Sequence, residues 1–225
     1  MGFKVLGFDA SGPSLAVGYL DGDAVWADWR WQKPRLAGNL LVPWISAVVD
    51  EFGRPDGIAV GIGPGSFTGV RIAVAAAKAL ALAWEIPLAG VVSLRAWALG
   101  AAAGQHVLVT SERRGTAYYA GFYWRAEDGP VPIWPEQAIN GPLPAEFPFA
   151  DPVTVIGPMT ELPDWREQVG PKAQAGDVPL TGSAVARLAR IGLQLGQSVS
   201  PLALSPLYLR APAVSRPRGR GPEGG

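Results

Sequence analysis

Apolar positions in the first hundred residues fall into short unbroken runs, interrupted by one stretch of helical periodicity and one that is apolar almost all round. Residues 3–8 form such a run and end in Asp9-Ala10-Ser11-Gly12-Pro13, which predicts a buried strand and a turn. Residues 15–20 and 24–31 predict two further strands joined through Asp21-Gly22-Asp23. Between 36 and 52, the residues Leu41, Trp44, Ile45, Val48, Val49 and Phe52 recur at helical spacing, with Pro43 expected in the first turn or at a kink. A short buried strand over 57–62, a helix over 68–84 and a strand over 88–92 follow. Ser93 is predicted to cap a helix that runs to 103.

A second unit then begins. Residues 107–110 and 117–124 predict paired strands around the turn Glu112-Arg113-Arg114-Gly115. From Asp128 to Pro163 the chain is rich in proline, and only shorter elements are expected, such as 153–156. Helical periodicity returns over 181–195, with Val185, Leu188, Ala189, Gly192 and Leu195 on one face and Gly196 as the stop. Residues 207–209 are expected to close the fold. The arginines, glycines and prolines of 211–225 offer too little apolar surface to order themselves, so a disordered tail is expected.

Three strands, a helix, a strand and a helix, followed by a smaller version of the same, predict an α/β protein. The expected architecture is two-lobed and actin/hexokinase-like, with mixed sheets flanked by helices. The N-terminal lobe would span 1–100 and the smaller C-terminal lobe 101–210. In that fold an acidic turn after the first strand faces the interlobe cleft, which makes Asp9, Ser11 and Gly12 weak cleft candidates. An Asx-type turn explains the same residues without any ligand.

The segment 61–82, GIGPGSFTGVRIAVAAAKALAL, carries the most information. Ser66 and Thr68 are N-cap candidates for an alanine-rich helix whose charges are Arg71 and Lys78, seven residues apart on one stripe. An apolar helix of this kind needs cover on two sides, by a sheet and by something else. Two phosphate motifs are near misses. A Walker loop needs Gly-Lys-Ser/Thr where Gly69 is followed by Val70-Arg71. A dinucleotide fingerprint needs G-x-G-x-x-G, which Gly63, Gly65 and Gly69 miss by one residue, although Glu85 falls near the position of a ribose-binding acid. A tight turn with a close-packed helix is the reading these residues favour.

Composition narrows the chemistry. The 225 residues are 48% hydrophobic and 17% charged, enough for a sizeable core. Lysine plus arginine and aspartate plus glutamate both number 19, so no global basic field draws in nucleic acid. No cysteine is present, which removes disulfides, thiolate nucleophiles and cysteine metal sites. The single histidine, His106, opens an apolar run and reads as structural; paired-histidine metal sites and a metalloprotease are excluded. No leader-type N-terminus is visible, and Arg71, Lys78 and Pro87 argue against a membrane span in the central helix. A soluble, cytoplasmic protein without metal or cofactor is expected.

These residues also carry a resemblance. Val5 to Ser11, GPGSFTGVRIAVAAAKALAL with the following IPLAGVVSL, VLVTSERRGTAYYAGFY and the late PLYLR resemble the TsaB (YeaZ) family over about residues 1–210. The resemblance implies the actin/hexokinase-like fold and a non-catalytic scaffold that binds and activates TsaD. It implies a role in N6-threonylcarbamoylation of adenosine 37 in tRNAs reading codons that begin with A. TsaE would join the complex, tRNA would be met indirectly, and the protein alone would be a homodimer. It further implies a partner interface on the two N-terminal helices, at Leu41, Trp44, Ile45, Val48, Arg71, Val74, Ala75, Lys78 and Leu82. The chain departs from the family pattern in three places. Ala37-Gly38-Asn39-Leu40-Leu41-Val42-Pro43 stands for H-S-E-x-L-L-P, Asp9-Ala10-Ser11 for D-T-S, and Ser111-Glu112-Arg113-Arg114 for D-A-R-R. The last removes an acid that a phosphate–magnesium site would use. The rival reading is an ATP-binding phosphotransferase or ATPase in the interlobe cleft, with Asp9 facing the metal.

Overall fold

A computed structural model describes residues 2–32, 37–113, 116–140 and 152–209. The expected tail at 211–225 lies outside the described residues.

Two five-stranded mixed sheets organise the chain. The first has the order β3-β2-β1-β4-β5 and is built from β1 (Lys4–Asp9), β2 (Leu15–Asp21), β3 (Ala24–Trp31), β4 (Gly57–Gly61) and β5 (Leu88–Val91). β1 pairs antiparallel with β2 and parallel with β4. It is therefore central and covered on both faces, which is why it reads as an unbroken apolar run rather than an alternation. The second sheet has the order β10-β9-β6-β7-β8. Its strands are β6 (His106–Arg113), β7 (Thr116–Arg125), β8 (Gly129–Asn140), β9 (Val153–Ile156) and β10 (Gln174–Gly176).

The helices α1 (Ala37–Phe52) and α2 (Phe67–Trp84) cover the outer face of the first sheet. Their inward residues Leu41, Ile45, Val48, Val70, Ala73, Val74 and Ala77 share one core with Leu6, Phe8, Val17 and Tyr19. The other face of that sheet meets α3 (Ser93–Ala98) and α5 (Gly182–Gln194), which are sandwiched against Val107, Val109, Phe122 and Ile156 of the second sheet. A third, smaller core beneath the second sheet gathers Leu108, Tyr119, Val155, Met159 and Trp165, the last from α4 (Trp165–Val169).

α5 follows the second sheet in sequence yet lies directly on β1 and β2. A Cβ at Gly7 or Gly18 would run into the backbone around Gly182 and Ser183, and one at Gly182 into β1 and β2. Only glycines allow this backbone-to-backbone approach. Asp28 of β3 then caps the helix, its Oδ1 accepting from Gly182 N at 3.1 Å and Ser183 N at 3.4 Å.

Four expectations change. α3 ends at Ala98 rather than 103, and its N-cap is Val92; Ser93 is already helical and turns its hydroxyl to Asp9. Pro43 lies inside α1, beyond the first turn, which removes the first of its two expected places. Leu195 is exposed instead of joining the buried face of α5. The 12-residue β8 occupies part of the proline-rich stretch; its Pro130, Pro132 and Pro135 are tolerated because it is an edge strand that pairs only with β7.

Candidate functional site

The glycine-rich loop before α2 clasps the turn after β1. Ser66 N donates to Ser11 O at 2.7 Å, and a Cβ on Gly65 or Gly69 would strike the carbonyls of Ser11 or Ala10. Ser66 Oγ caps α2 by accepting from Gly69 N at 3.3 Å. The motif is thus a packing device, with its amides turned to the chain itself.

Asp9 lies under this clasp and is fully buried. Its Oδ1 accepts from Ser11 N at 2.6 Å and from Ser11 Oγ at 2.7 Å, while Oδ2 accepts from Ser93 Oγ. Ser93 Oγ in turn accepts from Gly63 N at 3.0 Å, tying the turn, the glycine loop and α3 together. Burial raises the Asp9 pKa above its ordinary value of 3.8; the hydrogen bonds from Ser93 and Ser11 oppose that rise. Gly61 has no room for a Cβ beside this carboxylate.

Between the sheets opens a cleft of about 1040 Å³. Ser66, Thr68 and Gly69 line one wall, Ser111, Glu112, Glu161 and Asp177 the other, with Trp97 between them. Neither Asp9 nor Ser11 nor Gly12 lines it, which corrects their reading as cleft candidates: burial has turned the acid into an internal acceptor. Among the described residues the lining carries three carboxylates and no lysine or arginine. That environment repels a polyphosphate. The described residues also hold no group of three metal-ligating side chains.

The expected interface residues divide by helix phase. Leu41, Ile45, Val48 and Val74 are buried in the chain's own core, because their sides of α1 and α2 face the first sheet; they are corrected out of a partner surface. Trp44 is half-buried and meets Trp29 edge-on with ring centroids 5.9 Å apart. Arg71, Ala75 and Leu82 point outward and Lys78 is half-buried. Sequence periodicity missed what those cations do. Arg71 Nε donates to Tyr208 OH and Lys78 Nζ to Leu204 O, both at 3.0 Å. By length and composition α2 is apolar enough to cross a membrane, but its inner face packs on the first sheet.

Residues 39–129 match the family model described as TsaD: tRNA N6-adenosine threonylcarbamoyltransferase. An Escherichia coli protein, the tRNA threonylcarbamoyladenosine biosynthesis protein TsaB, is 28% identical over 225 residues, covering 92% of this chain and 94% of that one. The solved structure of YeaZ from Pseudomonas aeruginosa superposes with a TM-score of 0.77 at 24% identity, covering 93% of this chain and all of that one. The chain is similar to TsaB (YeaZ) proteins over nearly its whole length. An uncharacterized protein of Mycobacterium tuberculosis is 34% identical over 125 residues, and that match spans 52% of this chain and 58% of the relative. The likeness to YeaZ establishes the two-lobed actin/hexokinase-like fold expected from the element order.

Proposed function

We propose that this TsaB-like chain serves in tRNA threonylcarbamoyladenosine biosynthesis as a non-catalytic subunit that docks on TsaD and activates it. N6-threonylcarbamoylation of adenosine 37, in tRNAs reading codons that begin with A, is the reaction it supports. TsaE joins the same complex, tRNA is met through the complex, and the chain pairs with itself when alone, in the cytoplasm. The near full-length match to the E. coli TsaB protein supports this reading. The observation that carries it is the two-sided α2. One side is sealed in the core through Val70, Ala73, Val74, Ala77 and Ala81, and the other presents Arg71, Ala75, Ala79 and Leu82 to solvent. Small outward side chains let a second helix approach closely. A stable interface of this kind buries roughly 1,200–2,000 Å² in total.

The phosphotransferase reading loses its acid, because both oxygens of Asp9 are engaged inside the fold. Two measurements test the proposal. The purified chain shows no ATP turnover; robust turnover abolished by Asp9→Ala would overturn the non-catalytic role. Ala75→Glu leaves the monomer folded and weakens both self-association and TsaD binding, since it places an unpaired charge in a desolvated contact. Unchanged pairing by that variant would move the interface elsewhere.

A further inference from the structure

α2 ends against local chemistry. Its C-cap is Glu85 in the left-handed conformation, at φ 53 and ψ 43, the one described non-glycine residue with positive φ. Glycine or asparagine is the favoured residue there, because a Cβ strains that backbone. A carboxylate is doubly unsuited, since the C-terminal end of a helix already carries partial negative charge. The backbone of the cap is satisfied, Glu85 N and Ile86 N both donating to Ala81 O, but the side chain gains nothing from it. Among the described residues the Glu85 carboxylate makes no ion pair or hydrogen bond, and the nearby Arg54 stacks over Trp84 at 5.8 Å instead.

Glu85 lies in an open groove of about 580 Å³ between the end of α2 and the segment 198–201. Leu82, Ile86, Val199 and Pro201 line it, and among the described residues Glu85 is its sole charged lining residue. The far wall is fixed. Val199 N donates to Leu88 O at 2.9 Å and Leu207 N to Ile62 O at 2.8 Å, and Lys78 holds the Leu204 carbonyl. At the rim Leu82 is 55% exposed and Leu202, beside Pro201, 82%.

A residue that breaks two local rules, and whose side chain has no hydrogen-bond or ion-pair partner among the described residues, is a candidate for a contact outside the chain. The geometry points to this groove as a docking site for a lysine or arginine flanked by apolar residues on the protein partner. The inference rests on the TsaD-docking reading and extends the α2 face toward its C-terminal end. The base pairs with Glu85 while its apolar neighbours cover Leu82 and Leu202. Charge decides the class of partner, because an acid in an otherwise uncharged groove repels the phosphates of nucleic acid.

The test sets stability against binding in the full chain, with purified TsaD as the probe. Glu85→Gly relieves the strain and the charge and raises the melting temperature by about 2–4 °C. The same variant, and Glu85→Gln, weaken TsaD binding by about three- to tenfold at low salt, with the difference shrinking as salt rises. Leu202→Glu weakens it further without unfolding the chain. Ala75→Glu is the control for the α2 face. If it abolishes pairing while both Glu85 variants and Leu202→Glu bind as the natural chain does, the groove inference falls and the docking reading stands. If Glu85→Gly instead lowers the melting temperature, Glu85 is structural and the inference falls. If none of the four substitutions changes pairing, both fall.

Discussion

Asp9 shows how one side chain can be read two ways from sequence and one way from its surroundings. Ser11 N, Ser11 Oγ, Ser93 Oγ and the Gly12 backbone N–H lose their acceptor together in Asp9→Ala. Stranded buried donors cost about 1–3 kcal/mol each, partly offset by removal of a buried charge, so a loss of about 2–4 kcal/mol is expected in urea unfolding. The sign of the pH dependence follows from the raised pKa. Between 3.8 and the higher folded value the native state binds the proton more tightly than the unfolded chain. The Asp9 contribution therefore improves as pH falls through that window and levels off below 3.8. Asp9→Asn lacks this component, so the natural chain gains stability relative to that variant on acidification over the same window. A gap independent of pH would mean that Asp9 is not buried as described. The Asp-x-Ser pattern was legible in the sequence; the third partner, Ser93, was not, because it arrives from 84 residues away.

At the scale of elements, the two N-terminal helices and the first five strands were readable from periodicity alone, since each buries a regular face or a continuous run. β8 was not readable. Its prolines argue locally against a strand, and only its place at the edge of a sheet makes them harmless. Which residues of α2 face out was only partly legible, because alanine and valine fill both sides and the stripe of Arg71 and Lys78 alone marks the phase. α5 shows the converse. Its own cap, Thr181, stands where the helical periodicity begins and accepts from Ala184 N at 3.1 Å, but a second cap reaches in from β3. Asp28→Ala removes that acceptor from Gly182 and Ser183 and a favourable charge from the helix N-terminus. A cost of about 1–2 kcal/mol is expected, read as a lowered urea midpoint at constant slope. An unchanged midpoint would show that Thr181 alone suffices.

For the whole molecule, α5 is the joint. It completes the packing of the first sheet after the chain has already built the second, so neither half closes its core without it. Gly182→Ala drives a methyl group into β1 and β2. It is expected to destabilise the protein by about 3 kcal/mol, with hydrogen exchange accelerating at β1 and β6 together. Faster exchange confined to one sheet would show that the halves unfold independently.

The sequence by itself determined the α/β class, the likeness to TsaB (YeaZ) proteins, the tight glycine-rich turn before α2 and most element positions, because these rest on local periodicity, turn chemistry and a distinctive motif. The tertiary structure alone decided three things: that Asp9 is an internal acceptor rather than a cleft acid, that Leu41, Ile45, Val48 and Val74 are core rather than surface, and that Arg71 and Lys78 are held by the C-terminal segment. The physical reason is common to all three. Burial and pairing depend on which distant segments converge, and residues such as Ser93, Leu204 and Tyr208 carry no local mark of the partner they will meet.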